Sequence, residues 1–291
     1  MFQIISDGAC DFTKDEARNF NVDIVPFYIS FDGENYLREG VDITIDDFFN
    51  RLMNEKSLFP KTSQPNPQDY VELYTPHLKA GADLIVLTVS SKLSGSYSSA
   101  SIAAEILSEE YPDRKIVLID SLNGSLAQGL ILREIIKMRD AGYTLDKTES
   151  IAKKVRDTTR VYFTLDSLEY LRRGGRVGPT TALVGGILGL RPVLHLVEGK
   201  VSQLDNVRGK KKVLKLIEEA MADALKDDKE SVSISIGHIL SNEDASTIKL
   251  NIEHALGVEV ANPITRVGVT IGAHIGPGAL AFSYCKRYDA V

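Results

Sequence analysis

Apolar positions in the first half of the chain fall in short runs separated by helix-like stretches. Phe2–Ser6 and Val22–Phe31 read as strands, the second rich in β-branched and aromatic residues. Asp47–Met53 has helical periodicity, and Pro67–Lys79 predicts a helix entered through proline, which suits a first helical turn. Asp83–Ser90 is almost continuously apolar, as expected of a strand buried on both faces. A helix follows Ser94 and runs through Leu107, then Lys115–Ile119 forms a strand and Leu126–Arg139 a helix. This alternation predicts an α/β fold with a doubly wound, mostly parallel sheet.

The second half has a different pattern. Val161–Leu165 and Val193–Val197 read as strands, and Gly199-Lys200 predicts a hairpin turn into Val201–Leu204. Lys211–Leu225 is an amphipathic helix, and Ser231–Ile236 alternates polar and apolar, which predicts one solvated face. The mixture points to a second, α+β domain on an antiparallel or mixed sheet. The expected division is 1–159 and 160–291.

Composition narrows the class. The 291 residues are 43% hydrophobic, and 34 basic against 40 acidic side chains give a net charge of −6. That balance argues against binding nucleic acid by neutralising phosphates. Cys10 and Cys285, at opposite ends of the chain, have no metal-ligand spacing, so no metal site is expected and a reducing compartment is the simpler reading. The N-terminus shows no signal-peptide pattern. The apolar run Ala182–Leu190 is far shorter than the ~20 residues of a membrane span, so a cytoplasmic location is expected.

Several segments could carry a site. TSQPNP, residues 62–67, sets Thr62 and Ser63 in a proline-restricted turn before a helix; it is either a capped loop or a rigid turn that offers Thr62 to an anion. LSGSYSSA, residues 93–100, follows a buried strand and opens a helix. Ser94 there could bind a carboxylate, although capping alone also explains it. His274 lies among glycines and a proline in GAHIGPG, where a structural histidine and a hydrogen-bond donor to a carboxylate are both open readings. Arg176 and Arg208 stand in glycine-flanked basic stretches, and arginine forks suit carboxylate or phosphate.

Taken in order, TSQPNP, LSGSYSSA, Ile119-Asp120-Ser121, LEYLRRGGRVG, Gly189-Leu190-Arg191-Pro192, Val207-Arg208-Gly209 and HIGPGAL resemble the DegV family over nearly the whole chain. Members of that family include the fatty-acid-binding subunit of bacterial fatty acid kinase. The resemblance implies two α/β domains with a long-chain fatty acid buried at their interface and no cofactor. It implies carboxylate contacts from Thr62, Ser94 and His274, and places Arg176 and Arg208 at the mouth, where the ATP-binding kinase subunit would meet the carrier. The small and aliphatic residues of Ala182–Leu190 are candidate tunnel walls or, as readily, part of a packed core helix. The loop Asp7-Gly8-Ala9-Cys10-Asp11 departs from the Asp-Ser-Thr-Ala-Asp common in the family and loses two hydroxyls.

A hydrolase using Ser94, His274 and Asp120 is the main alternative. The chain has no GxSxG nucleophile elbow, and it lacks a Walker loop and a kinase signature set. A binding protein without catalysis of its own is therefore the expectation.

Overall fold

The computed structural model describes residues 2–55, 57–176, 190–225 and 228–291. Its first half contains β1 (Phe2–Asp7), α1 (Lys14–Asn19), β2 (Val22–Val25), β3 (Tyr28–Ser30), β4 (Leu37–Arg38), α2 (Ile45–Asn54), β5 (Lys61–Ser63), α3 (Pro67–Lys79), β6 (Asp83–Thr88), α4 (Ser96–Glu110), β7 (Ile116–Asp120), α5 (Ser125–Asp140) and α6 (Leu145–Thr158). The second half contains β8 (Arg160–Thr164), α7 (Glu169–Gly174), β9 (Leu190–Val197), β10 (Lys200–Arg208), α8 (Lys210–Leu225), β11 (Val232–His238), α9 (Asn242–Leu256), β12 (Thr265–Arg266), α10 (Val269–Ile275) and β13 (Leu280–Lys286).

The apolar runs of the first half become a four-stranded parallel sheet in the order β2-β1-β6-β7. Both faces are covered, as a parallel sheet requires. On one face Tyr70 and Tyr74 of α3 and Ala100, Ala103 and Leu107 of α4 pack against Ile5, Leu84 and Val86. On the other, Leu130, Ile131 and Ile135 of α5 and Ala152 and Val155 of α6 meet Ile4, Ile85 and Ile119. The fold is thus the α/β layer architecture that the alternation predicts.

The second sheet has six strands in the order β10-β9-β8-β13-β11-β12, antiparallel except for the parallel β11–β12 pair. Helices α8 and α9 cover one face through Ile217, Met221, Ile248 and Ile252. The other face meets α5, which explains why α5 is buried nearly all round, from Ser125 through Leu132 without interruption.

Three expectations need correction. Val22–Phe31 is two strands in two different sheets, β2 in the parallel sheet and β3 in a small β4-β3-β5 sheet. Pro26 separates them; it has no N–H for a ladder, and β-branched content alone did not reveal the break. β11 has no solvated face: after half-buried Val232 every residue is buried. Its serines face α5, and Ser233 Oγ donates to Glu134 Oε1 at 2.8 Å. The hairpin turn is Glu198-Gly199, one residue earlier than expected, with φ of 49° and 80°. Two successive positive φ values are what a type I′ hairpin turn needs. Apart from the Leu190 backbone, the candidate wall Ala182–Leu190 lies outside the described residues.

Candidate functional site

A cavity opens at the C-terminal ends of β1 and β6, where parallel α/β sheets collect ligands. Its apolar wall is built largely by the second sheet. Val161 and Phe163 alternate onto the same face of β8, Ala281 of β13 is the register partner of Phe163, and Leu196 of β9 pairs with Val201 of β10. Phe27, Val89 and Leu93 close it from the first half, and Ile271 and Ile275 of α10 from the second.

Among the described lining residues the polar groups are few, and Arg176 alone carries a full charge. Thr62, Ser94, Arg176 and His274 all line the cavity, so residues separated by up to 212 positions share one surface. Thr62 Oγ1 and His274 Nε2 are 2.8 Å apart. β5 presents Thr62 by pairing it with Ile29 of β3, and α10 presents His274. Arg176 follows α7; its Nε donates to the Leu93 carbonyl at 3.2 Å and its Nη1 to the Gly174 carbonyl at 2.5 Å. Ser94 Oγ accepts from the Ser96 amide at 3.2 Å in the turn before α4, but the N-cap of that helix is Gly95, so Ser94 is not its cap; the residue lines the cavity. Arg208 is exposed at the end of β10 and is not part of the lining.

Electrostatics fix the state of the imidazole. Burial, and then the neighbouring Arg176 charge, push the His274 pKa down to about 4, so the ring is neutral at neutral pH. Its Nδ1 is enclosed without a hydrogen-bond partner in the described structure. Gly174 packs on that edge, where a Cβ would stand 2.3 Å from Nδ1; no other residue fits without moving the ring. Burial also lowers the Arg176 pKa, which leaves the guanidinium charged but poorly solvated.

The sequence did not single out Gln64 or Thr270. Gln64 Oε1 accepts from the Gly95 amide at 2.9 Å and so joins the TSQPNP turn to the LSGS turn. Its position two residues after Thr62 was the available signal. Thr270 and Ile271 were hidden because α10 is only seven residues long and begins at a glycine N-cap with no side-chain cap of its own.

This arrangement does not support the hydrolase alternative. His274 meets Thr62 rather than Ser94, and its Nδ1 has no carboxylate among the described residues. Asp120 Oδ1 is occupied by the Ser91 and Leu122 amides at 3.1 and 3.0 Å. A serine nucleophile needs a base that is itself oriented by a third group. Among the described residues no cluster of three or more histidine, cysteine, aspartate or glutamate side chains could hold a metal, and none of their helices is long and apolar enough to cross a membrane. Cys10 and Cys285 are both free and buried.

The fold and cavity define an α/β protein with a largely apolar cavity whose described lining includes one cationic side chain, Arg176. The family model for DegV proteins, described as uncharacterised, matches residues 1–287, and the chain belongs to the DegV family. A DegV domain-containing protein of Clostridium perfringens is 32% identical over 283 residues, covering 96% of each chain. Among solved structures, a stearic-acid-binding protein from Eubacterium ventriosum superposes with a TM-score of 0.95 at 30% identity, over 100% of both chains. A fatty-acid-binding DegV family protein from Thermus thermophilus gives 0.87 at 29% identity, over 98% of this chain and 99% of the other.

Proposed function

We propose that this protein binds one long-chain fatty acid, with the tail in the apolar cavity and the carboxylate at Thr62, Ser94, His274 and Arg176. One observation carries the reading: a largely apolar cavity has a single full charge among its described lining residues, that of Arg176, and that charge lies beside the neutral imidazole of His274, which meets the Thr62 hydroxyl. A neutral ring with its proton on Nε2 donates to Thr62 Oγ1, so His274 serves the head group through Thr62. The Thr62 hydroxyl proton is then free for the ligand carboxylate. The fatty-acid binding of the Eubacterium and Thermus relatives supports the same reading.

Tail and head divide the work. Burying ~14 methylenes at ~0.8 kcal/mol each gives roughly 11 kcal/mol gross. A hydrogen bond to a charged group contributes only about 1.5–3 kcal/mol. The tail therefore supplies affinity, and the polar end supplies orientation and offsets carboxylate desolvation.

The finer reading is a carrier with no chemistry of its own and no cofactor. It would work in the cytoplasm and present the carboxylate to a fatty acid kinase ATP-binding subunit for acyl-phosphate formation, with Arg208 meeting that partner. A division into units 1–159 and 160–291, with the ligand between them, is part of this proposal. The test incubates fatty-acid-loaded protein with such a kinase subunit and ATP and looks for acyl phosphate. Its formation only when both proteins are present is the expected result. Free fatty acid consumed equally without this protein would remove the carrier role.

A further inference from the structure

Helix α10 lacks an N-cap side chain of its own: Gly268 occupies that position and makes no side-chain cap bond. Its first amides are instead taken by carboxylates from the far end of the chain. The Gly268 amide donates to Asp11 Oδ1 at 2.9 Å. Glu39 Oε1 accepts from the amides of Val269 at 2.5 Å and Thr270 at 3.2 Å, and the Thr270 hydroxyl bonds Glu39 Oε2. Just upstream, Arg266 Nη2 meets Asp46 Oδ1 at 2.6 Å. Three acids of the first half thus grip the chain between 266 and 270.

The other end of the same short helix carries His274 to Thr62. In between, Gly272 lies so close to Phe49 of α2 that a Cβ would stand 2.5 Å from its ring. A helix of two turns is stiff, so the grip at residues 268–270 sets where the imidazole arrives. We propose that Glu39, assisted by Asp11, is a positioning residue for the head-group site: it holds α10 in the register that brings His274 against Thr62. The inference rests on the fatty-acid reading and adds to it a residue that touches no ligand.

The cost of this grip argues that it does more than close a helix end. The pKa of both Asp11 and Glu39 is raised to about 7: burial is the largest cause and a neighbouring acid adds to it, Glu39 for Asp11 and Asp7 for Glu39, against the hydrogen bonds each carboxyl accepts. None of the causes acting on either carboxyl is a basic group. Desolvated acids crowded together are costly to keep. A side-chain cap from Ser or Asp at position 268 would satisfy the helix locally without them. Glu39 also joins the grip to the cavity wall, since its own amide donates to the carbonyl of lining residue Phe27 at 2.9 Å.

The experiment compares a saturated long-chain fatty acid with the primary alcohol of the same chain length, each titrated into delipidated protein. The alcohol keeps the tail and loses the carboxylate. Glu39→Ala should weaken the acid about tenfold, the size of one lost charged hydrogen bond, and leave the alcohol within about twofold of wild type. Glu39→Gln should recover most of the loss, because its Oε1 still accepts from both amides and its Nε2 can donate to Thr270. If Glu39→Ala does not fold, Glu39→Asp, which retracts the carboxylate by one methylene, should show the same acid-selective loss. As a second readout, the carboxyl carbon resonance of bound 1-13C-labelled fatty acid should move toward its free value in the alanine or aspartate variant. Equal weakening of acid and alcohol would make Glu39 a general structural residue and overturn the proposal, as would unchanged acid affinity. Wild-type protein that binds neither ligand would instead defeat the fatty-acid reading itself.

Discussion

The apolar wall and the polar end of the cavity are assembled by different rules. The wall comes from adjacent strands of one sheet: Val161, Phe163, Ala281, Leu196 and Val201 follow from strand alternation and register. A change there is felt locally, as lost or excess volume. The polar end joins β5, the turn after β6, the segment after α7 and helix α10, which no single ladder aligns. Its geometry depends on long-range contacts such as Thr62–His274, Gln64–Gly95 and Glu39–Val269. Regular pairing suffices to make an apolar slot, whereas the polar groups are held by dedicated long-range struts.

The largest effect should come from the wall. Ala281→Phe places a ring opposite Phe163 inside the slot and should weaken fatty acid and fatty alcohol alike. The expected loss is at least about a hundredfold, equivalent to three or four methylenes at ~0.8 kcal/mol. Titration of both ligands checks it; an acid-selective loss would break the contrast between wall and polar end.

Thr62→Ala should cost less, about 1.5–3 kcal/mol for the acid and little for the alcohol. Calorimetric titration of the two ligands measures the difference. Arg176→Ala should also reduce the preference for acid over alcohol, because Arg176 lines the cavity. Arg208→Ala should leave that preference within about twofold of wild type, as expected of a rim charge, which acts on encounter with a partner. If the two arginines behave alike in binding, the boundary drawn between lining and rim is wrong.

The smallest effect is a pH dependence of stability, and its sign separates the struts from the imidazole. Glu39 has a folded pKa near 7 against an ordinary value of 4.5. Between these values the unfolded chain releases a proton that the folded one keeps, so this group lowers stability as pH rises from about 4.5 to about 7. The melting temperature of Glu39→Gln relative to wild type should therefore climb across that window and level off above it. His274 acts in the opposite direction. Its folded pKa of about 4 lies below the ordinary 6.5, so its contribution is lost as pH falls through 6.5 toward 4. His274→Gln should lack that acid-side slope. Parallel melting curves for wild type and both variants from pH 4 to 8 would contradict both assignments.

How much of this was legible in the sequence follows the same divide. Continuous apolar runs such as Asp83–Thr88 announced the buried parallel strands, because burial on both faces leaves an unbroken pattern. Alternation misled at Ser231–Ile236, where the serines face a helix that itself carries Glu134. Thr62, Ser94 and His274 could be picked out as carboxylate candidates by residue type, local turn chemistry and family resemblance, and Arg176 was expected at the mouth beside Arg208; all but Arg208 line one cavity. Their supports could not. Glu39 and Asp11 look like ordinary surface acids, and their partners are backbone amides 230 and 257 residues away, which no side-chain pattern encodes. Cavity lining by Ser125 was equally hidden, since it depends on how the start of α5 meets Asp11.

The central claim is that the cavity holds a single long-chain fatty acid through its carboxylate. Native mass spectrometry of protein purified from a bacterial host, followed by lipid extraction and identification, tests it most directly. The expected spectrum shows one added mass per chain, released as a long-chain fatty acid. A ligand-free spectrum that persists after incubation with long-chain fatty acids would contradict the account.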